Sequence, residues 1–270
     1  MSIGPAVVLG LAQGVTEFWP ISSSAHLALL IHLFGWGEPD LSFMVALHLG
    51  TWLAVVWYYR RRLASIASAC WREARGREHG GQEARLGRLL LLATLPGLVL
   101  GAVFAESSKI MEGMPLLMAV ALAVFGLVLW GADRWGGEKK DWRSAGWRES
   151  LAVGVAQGLA LMPGVSRSGI TISTARAVGI DRREAADFAF LLSIPIIGAA
   201  AVYEGFKLVK EGIPAGSVWS MAAGCAAAAV SGYMAMGLLL SRLKTHTFKA
   251  YAIYRLALAA VLVVALVILG

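Results

Sequence analysis

The chain has 270 residues, 58% of them hydrophobic and only 15% charged, with a mean hydropathy of +0.68. That balance excludes an ordinary soluble enzyme and places the chain among integral membrane proteins. A formal net charge of +7 invites a nucleic-acid partner, but the basic residues sit between apolar runs, as in cytoplasmic loops, so none is expected. The apolar stretches are too long and too rich in glycine and alanine for outer-membrane strands.

In chain order, the first feature is a broken one. Apolar runs over residues 5–12 and 27–34 are each shorter than the roughly 20 residues a bilayer-spanning helix needs. Between them lies Q-G-V-T-E-F-W-P-I-S-S-S-A-H, residues 13–26. The simplest geometry is a helix that enters the membrane, breaks at Pro20 and returns through a second helix over residues 25–34. Irregular backbone at membrane depth is tolerated only where protein buries it or it lines a wet cavity, so this stretch reads as a site. No cleavable signal peptide is expected.

Six later stretches are expected to cross fully: residues 41–59, 89–105, 115–130, 188–202, 218–240 and 251–269. The segment 60–88 carries eight arginines and is expected in the cytoplasm, as are residues 133–150 with five Lys/Arg. The outward-facing connections then hold only Lys109, Lys207 and Lys210, with a short loop around Lys109. A second broken stretch, residues 151–179, is interrupted by M-P-G-V-S-R-S-G. Both termini are expected outside. Cys70 and Cys225, in a basic segment and an apolar span, suggest neither a disulfide framework nor a metal cluster.

The two broken stretches resemble each other. A shift of 144 residues aligns Gly10, Ala12, Gln13 and Gly14 with Gly154, Ala156, Gln157 and Gly158, and Ser22 and Ser24 with Ser166 and Ser168. Each half, 1–135 and 145–270, would hold one re-entrant hairpin and three crossings. Three is odd, so the second half is inverted relative to the first. The fold class expected is an all-α polytopic membrane protein with six transmembrane helices, two re-entrant hairpins and an inverted repeat. Such repeats place sites at the midplane, where Glu17 and Arg167 would face each other.

Glu17 is the acidic residue inside an apolar segment, and Gln13 lies four residues before it on the same helix face. An intramembrane ionisable group is costly and reads as functional; the structural alternative is a cap or an ion pair with Arg167. Ser22, Ser23 and Ser24 follow Pro20, where hydroxyls and N–H groups can converge on an anion; an ordinary helix N-cap needs just one of them. His26 can serve as acid, base or nucleophile, whereas His32 and His48 read as structural. In P-G-V-S-R-S-G-I-T, residues 163–171, Arg167 offers a planar fork to phosphate oxygens, and Gly164 allows close backbone approach. Arg255, beside Tyr254, either reaches the site or snorkels to the cytoplasmic surface.

Together the two motifs resemble the undecaprenyl-diphosphate phosphatase family of the bacitracin-resistance type. Residues 13–26 are similar to its [EQ]-G-x-T-E-F-x-P-[IV]-S-S-[ST]-x-H signature and residues 163–171 to its P-G-x-S-R-S-G-x-T signature, in the same order. The resemblance implies a phosphatase in the bacterial inner membrane, with its site facing the periplasm. It would convert a C55 polyprenyl diphosphate to the monophosphate carrier of cell-wall synthesis. Bacitracin would compete for the lipid substrate rather than bind the protein. It also implies a divalent cation, Mg²⁺ or Ca²⁺, held by Glu17 with Gln13, although many members carry a second glutamate where this chain has Gln13. Catalytic roles fall to Glu17, Ser23, His26 and Arg167, and substrate binding to Ser22, Ser24, Gly164, Ser166, Ser168 and Thr171. Ser23 is the favoured nucleophile, with His26, three residues on, as its proton partner; His26 itself and water stay open. A transporter of the polyprenyl phosphate is the rival function. The oligomeric state is open, a homodimer included.

Overall fold

A computed structural model describes residues 1–77, 81–137, 140–211 and 217–269. Among them are ten α-helices and no strand, one isolated bridge joining Lys140 and Ile180. The first broken stretch forms α1 (Ile3–Phe18) and α2 (Ser23–Phe34). Pro20 pushes Trp19 into extended backbone (φ −70°, ψ 140°), which ends α1. Gly35, left-handed at φ 61°, closes α2.

Then follow α3 (Leu41–Ala74), α4 (Gln82–Glu112) and α5 (Pro115–Trp135). The second broken stretch gives α6 (Trp147–Gln157), a 3₁₀ turn (Gly158–Leu161) and α7 (Arg167–Ala177). The chain finishes with α8 (Arg182–Glu211), α9 (Val218–Arg242) and α10 (Lys249–Leu269). Six helices, α3–α5 and α8–α10, are long and apolar enough to cross a membrane, matching the six expected spans in place. Their ends differ from expectation. At 34 residues α3 is about 51 Å long, more than a bilayer core of about 30 Å requires, and it carries the first arginines of the basic segment as helix. The expected loop around Lys109 is the last part of α4; the side chains of Lys109, Lys207 and Lys210 lie outside the described residues.

Close backbone approach organises the packing. A Cβ at Gly10 of α1 would lie 2.3 Å from Gly224 O of α9, and one at Gly154 of α6 would lie 2.4 Å from Ala93 O of α4. Small residues at such crossings let helices associate where lipid removes the hydrophobic drive. The core runs between the halves, with Phe18 edge-on to Phe190 at 5.4 Å.

Asp133 corrects the view that Glu17 alone is an acidic residue within an apolar helix. It lies in α5, 4% exposed, and its carboxylate accepts from Arg176 Nε (3.2 Å), Arg182 Nε (2.6 Å) and the backbone N–H of Phe248 (2.9 Å). Four elements are thereby joined around one paired charge, since breaking such a buried pair is costly. Nearby, Glu149 caps the start of α6 by accepting from the Gly146 N–H at 2.9 Å and from Lys140 Nζ at 3.0 Å. The Lys140 hydrogen bond, foremost, holds the Glu149 carboxyl down at about 2. Both cysteines are free.

Candidate active site

The tips of the two broken stretches meet, and the expected pair forms: Arg167 Nη2 donates to Glu17 Oε1 at 2.8 Å. Glu17 is 9% exposed at the end of α1, and Arg167 opens α7. The other carboxylate oxygen, Glu17 Oε2, accepts from Ser23 Oγ at 2.9 Å and from Gln13 Nε2 at 3.2 Å. Gln13 is fully buried, and its carbonyl oxygen has no hydrogen-bond partner. A buried amide oxygen without a donor is expensive, and here it lies beside a carboxylate.

Each tip turns on a serine with left-handed φ, Ser22 at 73° and Ser166 at 70°. Each also shares a hydrogen bond with the serine two residues on, Ser22 with Ser24 (3.1 Å) and Ser166 with Ser168 (3.2 Å). The tips are strapped reciprocally. The Gly164 N–H donates to Ser24 Oγ at 3.4 Å, and Ser168 Oγ donates to Trp19 O at 3.2 Å. The N-termini of α2 and α7, each the positive end of a helix dipole, are therefore brought to one junction.

Beneath this junction lies Arg255, fully buried in α10. Its guanidinium donates to Pro20 O (3.3 Å) in the first tip, Gly164 O (2.9 Å) and Val165 O (3.0 Å) in the second, and Leu122 O (3.2 Å) of α5. It neither snorkels nor presents its fork outward; it clamps both turns from below. Its neighbour Tyr254 is the residue that motif reading missed, for its place at the start of an apolar run carries no signal. Its hydroxyl lies 2.7 Å from His26 Nε2.

The remaining expectations divide. Ser23, in place beside Glu17, is paired with that carboxylate; His26 is bonded to Ser22 O through Nδ1 (2.7 Å) and to Tyr254 instead. Ser22, Ser24, Ser166 and Gly164 form the turns. Gly164 is needed on two counts, a φ of 88° and an added Cβ that would lie 2.4 Å from Met118 O. Thr171 is fully buried, with its hydroxyl donated to Arg167 O at 2.8 Å, so it staples α7 rather than presenting a free group. His48 bonds Met44 O of its own helix at 2.9 Å.

A deeply set ion pair with a hydroxyl on its carboxylate, between two helix N-termini, is chemistry for holding and attacking an anion. The chain is 40% identical over 261 residues to the undecaprenyl-diphosphatase of Gemmatimonas aurantiaca, covering 97% of each chain. It is 41% identical to the proteins of that name from Thermomicrobium roseum, with 97% coverage of each, and Geobacter sulfurreducens, with 95%. Residues 6–261 match the family described as Bacitracin resistance protein BacA, and the chain belongs to that family.

Proposed function

We propose that the junction of the two tips binds the diphosphate of undecaprenyl diphosphate and cleaves its terminal phosphate. The chain is a membrane phosphatase that forms undecaprenyl phosphate and inorganic phosphate, returning the lipid carrier to cell-wall synthesis. The observation that carries the mechanism is the threefold use of Glu17 by Arg167, Ser23 and Gln13. Diphosphate oxygens compete with Glu17 for the Arg167 fork. As Arg167 turns to the substrate, Glu17 keeps the Ser23 hydroxyl on Oε2 and is placed to accept its proton.

Ser23 Oγ then bonds the terminal phosphorus while the bond from that phosphorus to the bridging oxygen breaks. Undecaprenyl phosphate leaves with that oxygen and its electron pair, and the Ser23 proton passes to Glu17. Water cleaves the serine phosphate, inorganic phosphate departs, and Ser23 regains a proton. Phosphoryl transfer of this kind depends chiefly on positioning and charge neutralisation. The buried helix ends and Arg167 supply both.

A divalent cation fits the donors present. The orphaned Gln13 Oε1 and the Glu17 carboxylate are hard oxygens, and no group of three or more His, Cys, Asp or Glu side chains stands together among the described residues. Mg²⁺ or Ca²⁺ would therefore take its remaining oxygens from the diphosphate and water, and its contribution would be to neutralise phosphate charge.

The same reading makes both broken stretches re-entrant hairpins related by an inverted repeat, the site opening to the periplasm. It is supported by the serine turns at Ser22 and Ser166, by the matching close backbone approaches at Gly10 and Gly154, and by the basic segment that begins in the second half of α3. The relatives' shared enzyme name does not favour a carrier that moves the lipid uncleaved. Phosphate release from undecaprenyl diphosphate by the purified protein is the test. Binding of the lipid without release would overturn the phosphatase and leave the carrier.

A further inference from the structure

His26 is held at both ring nitrogens, and the second holder has no part in the chemistry above. Ser22 turns through a left-handed φ of 73°, and its carbonyl oxygen lies 2.7 Å from His26 Nδ1. A carbonyl oxygen only accepts, so Nδ1 carries the hydrogen and, in the neutral ring, Nε2 carries the lone pair. That lone pair faces the Tyr254 hydroxyl at 2.7 Å, with the two ring planes 4° from parallel and their centroids 5.5 Å apart. The phenol is therefore the donor, and the imidazole is fixed in tautomer by the first tip and in orientation by α10.

We propose that Tyr254 is a positioning residue for His26: its hydroxyl caps Nε2 and holds the ring at the edge of the diphosphate site. The proposal rests on the phosphatase reading for its effect on turnover, but not for the pairing itself. Tyr254 and Arg255 are consecutive, so one turn of α10 sets both the imidazole and the two serine turns. Tyr254 is 45% exposed, which leaves its ring room to swing when a water or phosphate oxygen takes its place at Nε2. Glu17 and Arg167, the nearby charges of the site, are bonded to each other and keep those partners when the phenol is removed.

Tyr254→Phe deletes the hydroxyl and keeps the ring. Losing one hydrogen bond that orients an imidazole at the edge of the diphosphate site lowers kcat by about 3- to 10-fold, with KM within about twofold. The pairing is read separately with diethyl pyrocarbonate, which acylates an unprotonated imidazole nitrogen, by peptide mass spectrometry of the folded protein. With the cap gone, His26 is modified several-fold faster in Tyr254→Phe than in the unaltered chain, with thermal unfolding in detergent confirming that both are folded. Equal modification rates overturn the proposal whatever happens to turnover, and so does an unchanged kcat in a variant that is modified faster. Absence of phosphate release by the unaltered protein overturns the phosphatase reading, while the labelling comparison decides the pairing on its own.

Discussion

Ser22 and Ser166, 144 residues apart, have nearly the same backbone conformation, φ 73° and ψ 102° against φ 70° and ψ 114°. They are the non-glycine residues with positive φ among those described, and each stands immediately before a helix that begins at the site. A side chain held there costs about 1–3 kcal/mol, retained where function demands the geometry. Glycine adopts this φ without strain, so Ser22→Gly raises thermal stability in detergent, while Ser22→Val lowers it by about 1–3 kcal/mol. Ser166→Gly comes out near neutral, because Ser166 Oγ also accepts from the Gly169 N–H at 3.2 Å and losing that cap costs about 1 kcal/mol. Equal stabilities for Ser22→Gly and Ser22→Val would remove the strain from this account.

The spans were legible because a bilayer demands long apolar runs, and the site because few polar residues survive inside them. The pairing of Glu17 with Arg167 followed from the repeat alone. Three things were not legible. The helix beyond residue 59 continues because nothing in its arginine-rich sequence breaks a helix, and charge marks the membrane boundary rather than the helix end. Asp133 looked like a loop residue because its partners, Arg176, Arg182 and the Phe248 N–H, come from three distant segments. Tyr254 and Arg255 reach the site through tertiary packing of the last helix, which no local pattern encodes.

Glu149 gives a pH signature outside the membrane. Its folded-state pKa of about 2 lies below the ordinary 4.5, chiefly through the Lys140 hydrogen bond, so the ionised form is the one the fold favours. The stabilisation is fully present above about pH 4.5 and is lost as pH falls from there toward 2. Glu149→Gln is accordingly less stable than the parent at pH 7, and the gap closes through that window. Unfolding temperatures from pH 7 to pH 3 check it; a gap that widens on acidification contradicts the capping role.

Gln13→Glu places a second carboxylate four residues from Glu17 at a fully buried position. Like charges at that spacing repel, and the repulsion is stronger away from water. In chelator the variant therefore melts below the parent, and added Mg²⁺ raises its melting temperature more than the parent's. Its turnover persists, with half-maximal activity at lower Mg²⁺. A melting curve indifferent to Mg²⁺ would remove Gln13 from the cation's ligands.

Arg167 separates positioning from bare charge. One of its nitrogens is on Glu17 Oε1 at 2.8 Å, and another is 3.5 Å from Ala189 O, a long contact that a phosphate oxygen can replace. Arg167→Lys keeps the cation but loses the planar fork and so the two-point hold on the diphosphate. A charge-assisted contact realised in the transition state is worth about 2–4 kcal/mol, or roughly 30- to 1,000-fold in kcat. Arg167→Ala falls further, since Glu17 is then left buried without its cation. Were Arg167 only the structural partner of Glu17, both variants would first lose thermal stability, and the lysine variant, once folded, would turn over normally. The measurement is phosphate release per mole of monodisperse protein after gel filtration in detergent. Near-normal kcat in well-folded Arg167→Lys would end the bidentate role and leave Arg167 as a counter-ion.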